Sequence, residues 1–300
     1  MKHIKALGSY AAMIVLAAFL IAPFAWMVLV SLHPSKSPIP TLDNIVPTAP
    51  VLDAEQKPVM IPGPDGKAVA KVEFKAAFEN YGKVLFMPNL PVARFFANTL
   101  IVTICVVLGQ LFITSLAAYG FARFRFRGSG LVFSLFLASM MFAGPVTQIP
   151  VYLIVLKLGW LDTYAALIVP GLSSAFNIFL LRQAFLAIPR ELDEAAKIDG
   201  AGYFRIYWRV LLPLAKPSLA TAAAFTFFGV WTDFFWPLLS TNSTEMRTLE
   251  VGLSIFKNSY GAANWPLQMT AAVIVMLPLL FVFLLCQRYF VKGVMLGSLK

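Results

Sequence analysis

The sequence predicts an all-α integral membrane protein. Six transmembrane helices are expected, with an extended external loop after the first and a cytoplasmic helix-turn-helix loop before the fifth. Three observations predict this. Hydrophobic residues make up 59% of the 300 residues and charged residues only 13%, against roughly 25% charged in a soluble domain. The apolar residues fall in six runs, each near the about 20 residues, at about 1.5 Å rise, that a bilayer crossing takes. The basic residues are sorted to one side of those runs.

Lys2 and Lys5 open the chain, and Tyr10–Leu32 is the first apolar run. A cleaved signal peptide would carry an apolar core of about 7–15 residues followed by a small-residue cleavage site. This run is longer and closes on Trp26-Met27-Val28-Leu29-Val30, so residues 1–32 read as a cytoplasmic start and a retained span. Residues 33–93 are polar and proline-rich and form the external, periplasmic loop. A turn at Pro64-Asp65-Gly66 between Val59-Met60-Ile61 and Val69–Phe74 fits a small hairpin. The run from Gly63 to Ala68 looks superficially like a phosphate loop. Only two residues separate its glycines, and no Ser or Thr follows Lys67, so it is set aside.

Residues 94–293 form the transmembrane core. Its first helix, the second span, covers Phe96–Phe121 and closes on Arg123-Phe124-Arg125-Phe126-Arg127. Bases interleaved with aromatics can bind single-stranded nucleic acid. At the end of a membrane helix they are anchors at the headgroups. The third span, Leu131–Val155, is interrupted by Gly144, Pro145 and Pro150. The break is either a structural kink or the mark of a helix along a watery path. Thr163–Leu186 is the fourth span and Ser218–Leu239 the fifth. Residues 240–268 make a second external loop, Met269–Phe290 is the sixth span, and 294–300 are a cytoplasmic tail.

Six spans put both termini on one side. That side holds fourteen of the 24 bases, including Arg123, Arg182, Arg190 and Arg205, and four of the 14 acids. The other side holds ten bases and nine acids, with Asp233 inside a span. The positive-inside rule therefore places both ends and residues 189–217 in the cytoplasm. The net charge of +10 is a topological signal rather than a nucleic-acid footprint, so the expected partner surface is membrane lipid. Cys105 and Cys286 lie in spans at different depths, which disfavours a bridge. There is no Cys-x-x-Cys, HExxH or G-x-S-x-G motif, and His3 and His33 form no cluster. Neither a catalytic centre nor a metal site is expected.

The loop 189–217 is the most informative stretch. Pro189 suits a first helical position. Glu191, Asp193 and Glu194 favour the positive end of a helix dipole, and Asp193 is spaced i, i+4 with Lys197 for an ion pair. Gly200 supplies a left-handed turn. A second helix runs from Tyr203 to about Leu212, where Pro213 and Pro217 end it.

Glu194-Ala195-Ala196, three residues, Gly200, nine residues, then Val210-Leu211-Leu212-Pro213 resembles the EAA loop of ABC importer permeases, with Val210 for the usual Ile. The resemblance implies that Glu194, Ala195, Ala196, Asp199 and Gly200 dock on a separate cytoplasmic ATPase dimer. ATP and Mg would be bound there, with no cofactor in this chain. Phe96–Leu100, Trp231–Leu238, Arg247-Thr248-Leu249, Val251-Gly252-Leu253 and Gln287–Gly293 are similar to permeases for oligosaccharides and polyols, of the maltose type. The tail 294–300 departs from that type. The implied protein is a permease subunit of a bacterial inner-membrane carbohydrate importer, working by alternating access with a second related permease and an external solute-binding protein. Three alternatives stay open. The first is an ABC permease for a non-sugar solute. The second is an ion-driven carrier, which would need an intramembrane relay of ionisable groups where Asp233 is nearly alone. The third is a membrane-anchored scaffold.

Asn98, Trp231, Asp233 and Trp236 are the candidate pathway or solute residues. A carboxylate at a membrane helix centre costs about 2.5–3.5 kcal/mol and usually faces a bundle interior or cavity. Asp233 either lines such a path, or is hydrated near the outer interface or bonded to a neighbouring helix. Trp231 and Trp236 either flank a sugar ring or anchor the span at the interface.

Overall fold

Apolar runs fold as helices in lipid because backbone groups that meet no water must bond within their own segment. α1 (Lys2–Ser31), α3 (Val92–Arg123) and α14 (Trp265–Gly297) are continuous helices of 30, 32 and 33 residues. Their stretches Tyr10–Ser31, Val92–Arg123 and Trp265–Arg288 are long and apolar enough to cross a membrane. The structure, a computed structural model, describes the chain apart from residues 1, 36–45, 52, 54–56, 63–67, 89, 143, 261–263 and 298–300. It divides into two compact units, one of Met1–Ala93 with Gly252–Leu277 and one of Arg94–Val251 with Pro278–Lys300.

In the first unit side chains take up the Ser31 carbonyl, which has no partner within α1, and the His33 carbonyl just beyond the helix. Asn80, on α2 (Glu79–Leu85), donates to the carbonyls of Ser31 at 2.9 Å and His33 at 2.8 Å. Thr270 Oγ1 donates to the Ser31 carbonyl at 3.2 Å. The segment after α1 holds two antiparallel ribbons. β1 (Thr48–Pro50) pairs with β4 (Val72–Phe74), placing Ala49 opposite Glu73, and β2 (Met60–Pro62) pairs with β3 (Ala68–Ala70), placing Ile61 opposite Val69. The Pro64-Asp65-Gly66 turn lies outside the described residues.

In the second unit three expected spans are broken. The third is two helices, α4 (Ser129–Ser139) and α5 (Gly144–Lys157). Pro145 cannot continue a helix from α4, since it lacks the N–H and restricts the residue before it. The fourth is α6 (Tyr164–Ile168) with a 3-10 turn, Val169–Leu172, followed by α7 (Ala175–Ala187), bent by 42°. Ser174 starts α7 afresh, its hydroxyl accepting the Asn177 N–H at 3.3 Å, an N-cap bond. The fifth, α11 (Lys216–Trp231), stops before Thr232, and α12 (Phe235–Ser240) follows. A 3-10 turn, Thr244–Met246, and α13 (Leu249–Tyr260) come next.

α3 is the spine of this unit. Ala118 and Ala122, one turn apart, let α7 and the 203–215 segment approach closely, and Leu181, Phe185, Ile206, Tyr207 and Leu211 fill the contact. Nearer its middle, an added Cβ at Gly109 would lie 2.6 Å from Leu172 Cδ2, so α3 passes tightly over the 3-10 turn there. Between these levels sits a neutral polar knot. Gln110 Nε2 donates to the Gly171 carbonyl at 2.6 Å, and its Oε1 accepts from Asn177 Nδ2 and Thr226 Oγ1, both at 2.6 Å. All three side chains belong to buried residues on α3, α7 and α11.

Candidate functional site

Two places in the second unit are built for work, the 189–217 loop and a cavity near Asp233. The loop begins with α8 (Glu191–Ile198), whose first carbonyl acceptor is Arg190, so Pro189 stands before the helix rather than at its first position. α8 closes with a paired set of bonds. Gly200 N–H donates to the Lys197 carbonyl and Ala201 N–H to the Ala196 carbonyl, both at 2.9 Å, which is the Schellman ending. Gly200 has φ +78°, and a Cβ there would meet nothing within 4 Å. The constraint is the backbone angle alone. α9 (Tyr203–Ile206) then passes into a π-helical turn, Tyr207–Leu211, and α10 (Leu212–Leu214). Pro213 offers no N–H to the preceding turn and crowds the carbonyl four residues back, which accounts for the widened turn. The chain bends by 80° into α11.

Five residues of the resemblance share this corner. Glu194, Ala195, Asp199 and Gly200 are exposed, and Ala196 is half-buried against the α3–α7 core. The expected Asp193–Lys197 pair does not form. Asp193 instead points inward, its Oδ2 lying 2.6 Å from Arg123 Nε, with both side chains nearly buried at 11% and 6% exposure. The Nε–H is not aimed along that line, so the contact is an ion pair rather than a well-aligned hydrogen bond. Lys197 lies over the Tyr203 ring, 5.2 Å from its centroid. The exposed i, i+4 pair would contribute only a few tenths of a kcal/mol, so little is lost when Asp193 turns to Arg123 instead. Arg123, read from sequence as a headgroup anchor, is thus an internal partner.

The cavity has a volume of about 240 Å³ and is bordered by Thr99, Thr147, Gln148, Asp233, Trp236 and Thr248 among apolar neighbours. Asp233 sits in the break between α11 and α12, where its Oδ1 accepts the Trp236 N–H at 3.3 Å. Gln148 Oε1 and Thr248 Oγ1 are buried without a hydrogen-bond partner. Among the described residues no Lys, Arg or His borders the cavity. Of the four candidates, the structure brings Asp233 and Trp236 together here and places the other two elsewhere. Asn98 Nδ2 donates to the carbonyls of Glu245 at 2.7 Å and Arg247 at 2.9 Å, and its Oδ1 accepts from Tyr164 Oη at 2.7 Å. Trp231 is buried at 1% exposure, stacked on Phe227 and edge-on to Phe96. Trp236 is also satisfied, its Nε1 donating to the Ala166 carbonyl at 2.9 Å.

Asp162 fastens the loop after α12. It has φ +63°, and its Oδ1 accepts the N–H groups of Asn242 at 2.9 Å and Ser243 at 3.0 Å. Partial burial pushes its carboxyl up, but the bonds from Ser243 and Asn242 and the nearby Arg247 charge outweigh burial and hold it below the usual value. Sequence reading missed Asp162, Arg123 and the Gln110–Asn177–Thr226 knot. Only the knot left a signal, as strongly polar residues inside apolar spans.

The profile of the binding-protein-dependent transport system inner membrane component family matches residues 110–296. The chain belongs to this family. The family's permeases include relatives that agree over most of the length. The sn-glycerol-3-phosphate transport system permease protein UgpE of Brucella abortus (strain 2308) is 36% identical over 72% of this chain and 78% of that protein. The trehalose/maltose transport system permease protein MalG of Thermococcus litoralis is 36% identical over 76% and 83%. The arabinooligosaccharides transport system permease protein AraQ of Bacillus subtilis is 33% identical over 75% and 79%. Among solved structures, a chain of a bacterial ABC transporter involved in import of the acidic polysaccharide alginate superposes with a TM-score of 0.72. It covers 96% of this chain and 97% of that one at 24% identity, a likeness of fold. This is an inner-membrane permease subunit of an ABC importer, and its apolar helices make it multi-pass.

Proposed function

We propose that this permease carries a carbohydrate or polyol and takes its energy from a separate ATPase dimer docked on the 189–217 loop. The observation that carries the reading is the loop's shape. A short helix exposes Glu194 and Ala195, stops at a left-handed Gly200 and turns into a segment packed on α3 and α7. Such a rigid, exposed corner suits a cleft on a partner, with Glu194 and Asp199 as polar contacts and Ala195 and Ala196 permitting close approach.

The spans in this reading are α1, α3, α4 with α5, α6 with α7, α11 with α12, and α14, leaving both termini and the loop in the cytoplasm. A second related permease and an external solute-binding protein complete the assembly, and ATP and Mg belong to the ATPase. ATP shifts the transporter only if it stabilises the outward-facing state more than the inward-facing one. The cavity favours a neutral, hydroxyl-rich solute. Its carboxylate and unpartnered amide oxygen call for donors, and with no basic residue among the described lining residues a phosphate or uronate would sit beside Asp233 uncompensated. Asp233 and Trp236 are the residues assigned to solute.

The test is uptake by the whole complex in proteoliposomes, with the solute identified from the co-purified binding protein. Uptake should require ATP inside the vesicle on the ATPase face. Uptake that persists without ATP and follows an ion gradient would replace this reading with an ion-driven carrier.

A further inference from the structure

The cytoplasmic end of α3 is held from both sides of the loop's turn. A helix leaves its last carbonyls without internal partners. Here the Phe121 carbonyl accepts from Arg182 Nε at 3.4 Å and the Ala122 carbonyl from Arg190 Nη2 at 3.3 Å. Arg123 reaches the other way. Its Nη2 donates to the Ile188 carbonyl at 3.0 Å while its Nε lies 2.6 Å from Asp193 Oδ2. Tyr119 Oη donates to the Tyr203 carbonyl at 3.1 Å. These contacts fall before α8, within it and after Gly200. Among the described residues this is the one ion pair that joins two elements, since Lys83–Glu79 lies within α2.

Consecutive residues divide the labour. Asp193 faces α3, and Glu194 faces outward. A buried ion pair is weak evidence of stability, because desolvation offsets the attraction and an apolar pair can hold as well. What Arg123 adds is two contacts from one side chain, an ion pair with Asp193 and a hydrogen bond to the Ile188 carbonyl. Among the described residues Asp193 Oδ1 has no hydrogen-bond partner, and Asp193, Arg123, Glu194 and Lys197 together border a cavity of about 80 Å³.

We propose that Arg123 and Asp193 are a positioning pair, through which displacement of the 189–217 loop by the ATPase is passed to α3. The proposal rests on the importer reading above. The experiment uses the full complex with liganded binding protein in proteoliposomes, comparing Arg123→Gln, Asp193→Asn, Arg123→Lys, and the exchange Arg123→Asp with Asp193→Arg. Three quantities are read: ATPase retained on purification, unstimulated hydrolysis, and stimulation by liganded binding protein. The neutral variants should retain the ATPase and its unstimulated rate while stimulation falls by about tenfold, within the range of measured site-to-site couplings. The exchange should recover most of it. Arg123→Lys keeps the charge but cannot hold Ile188 and Asp193 together, so it should assemble and fall in between. Full stimulation in Arg123→Lys or in either neutral variant would overturn the proposal. So would loss of stimulation only in step with loss of the ATPase, or an exchange that recovers nothing. A wild-type complex that retains no ATPase would sink the importer reading instead.

Discussion

At Gly200 a single torsion decides what the corner can do. With φ at +78° and open space where a Cβ would go, Gly200→Val meets backbone strain of about 1–2 kcal/mol while its Cβ finds room. That is too little to unfold helices held by backbone bonding in lipid. The variant should insert and purify normally, yet show reduced solute-stimulated ATP hydrolysis. Glu194→Ala should weaken ATPase retention by removing an exposed polar contact. Normal retention and normal stimulation in Gly200→Val would remove the loop from the coupling path. Asp233→Asn keeps the Trp236 N–H bond, since an amide oxygen still accepts, but removes the charge from the cavity. Transport of the neutral solute should fall severalfold, with assembly intact. Transport unchanged at every solute concentration would leave Asp233 as a cap on α12 and nothing more. Gly200 was legible from the spacing of the loop, because a helix that must stop and turn needs a residue free of the Cβ penalty. Arg123 was not, since the same basic side chain at a span's end serves lipid or a buried acid equally well, and only the fold brings Asp193 to it.

Elements broke where the sequence read them as continuous. Thr163–Leu186 has enough apolar length for one span, and hydropathy averages over the very residues that interrupt it. The local marker was the Ser174 hydroxyl three residues before Asn177, an N-cap inside an apolar run. Trp231–Leu238 likewise reads as the end of a helix, while Thr232 turns its hydroxyl back to the Phe228 carbonyl at 2.7 Å and Asp233 starts α12. The latch at Asp162 belongs to this scale. Its carboxyl is held below its usual value, so its contribution is complete above the unfolded value of about 3.9. That contribution is lost as pH falls through the lower folded value. Amide exchange at Asn242 and Ser243, corrected for intrinsic rate, should therefore be protected at pH 6 and lose protection below about pH 4. Asp162→Asn should flatten that dependence. Equal protection at both pH values in the wild type would show that the backbone, rather than the carboxylate, holds the turn.

For the molecule as a whole, composition was enough for the class, charge sorting sets an expected direction of insertion, and the path of each span depended on breaks set by single prolines and caps. The topology predicts an accessibility pattern. With Cys105 and Cys286 replaced by alanine, cysteines at Ser129 and Lys197 should label only from the cytoplasm, and one at Asp65 only from outside. External labelling at Lys197 would overturn the orientation together with the docking assignment. The knot of Gln110, Asn177 and Thr226 bears on how such a chain comes to be built. Each partner is uncharged, and an amide or hydroxyl is tolerated on a lone helix in lipid far better than a carboxylate. α3, α7 and α11 can therefore enter lipid one at a time: Gln110 can bond Asn177 and the Gly171 carbonyl once α3 and α7 meet, and Thr226 joins when α11 follows. The last of the three to be synthesised, α11, completes the knot, so the full set of bonds reports that all three helices sit in their native register.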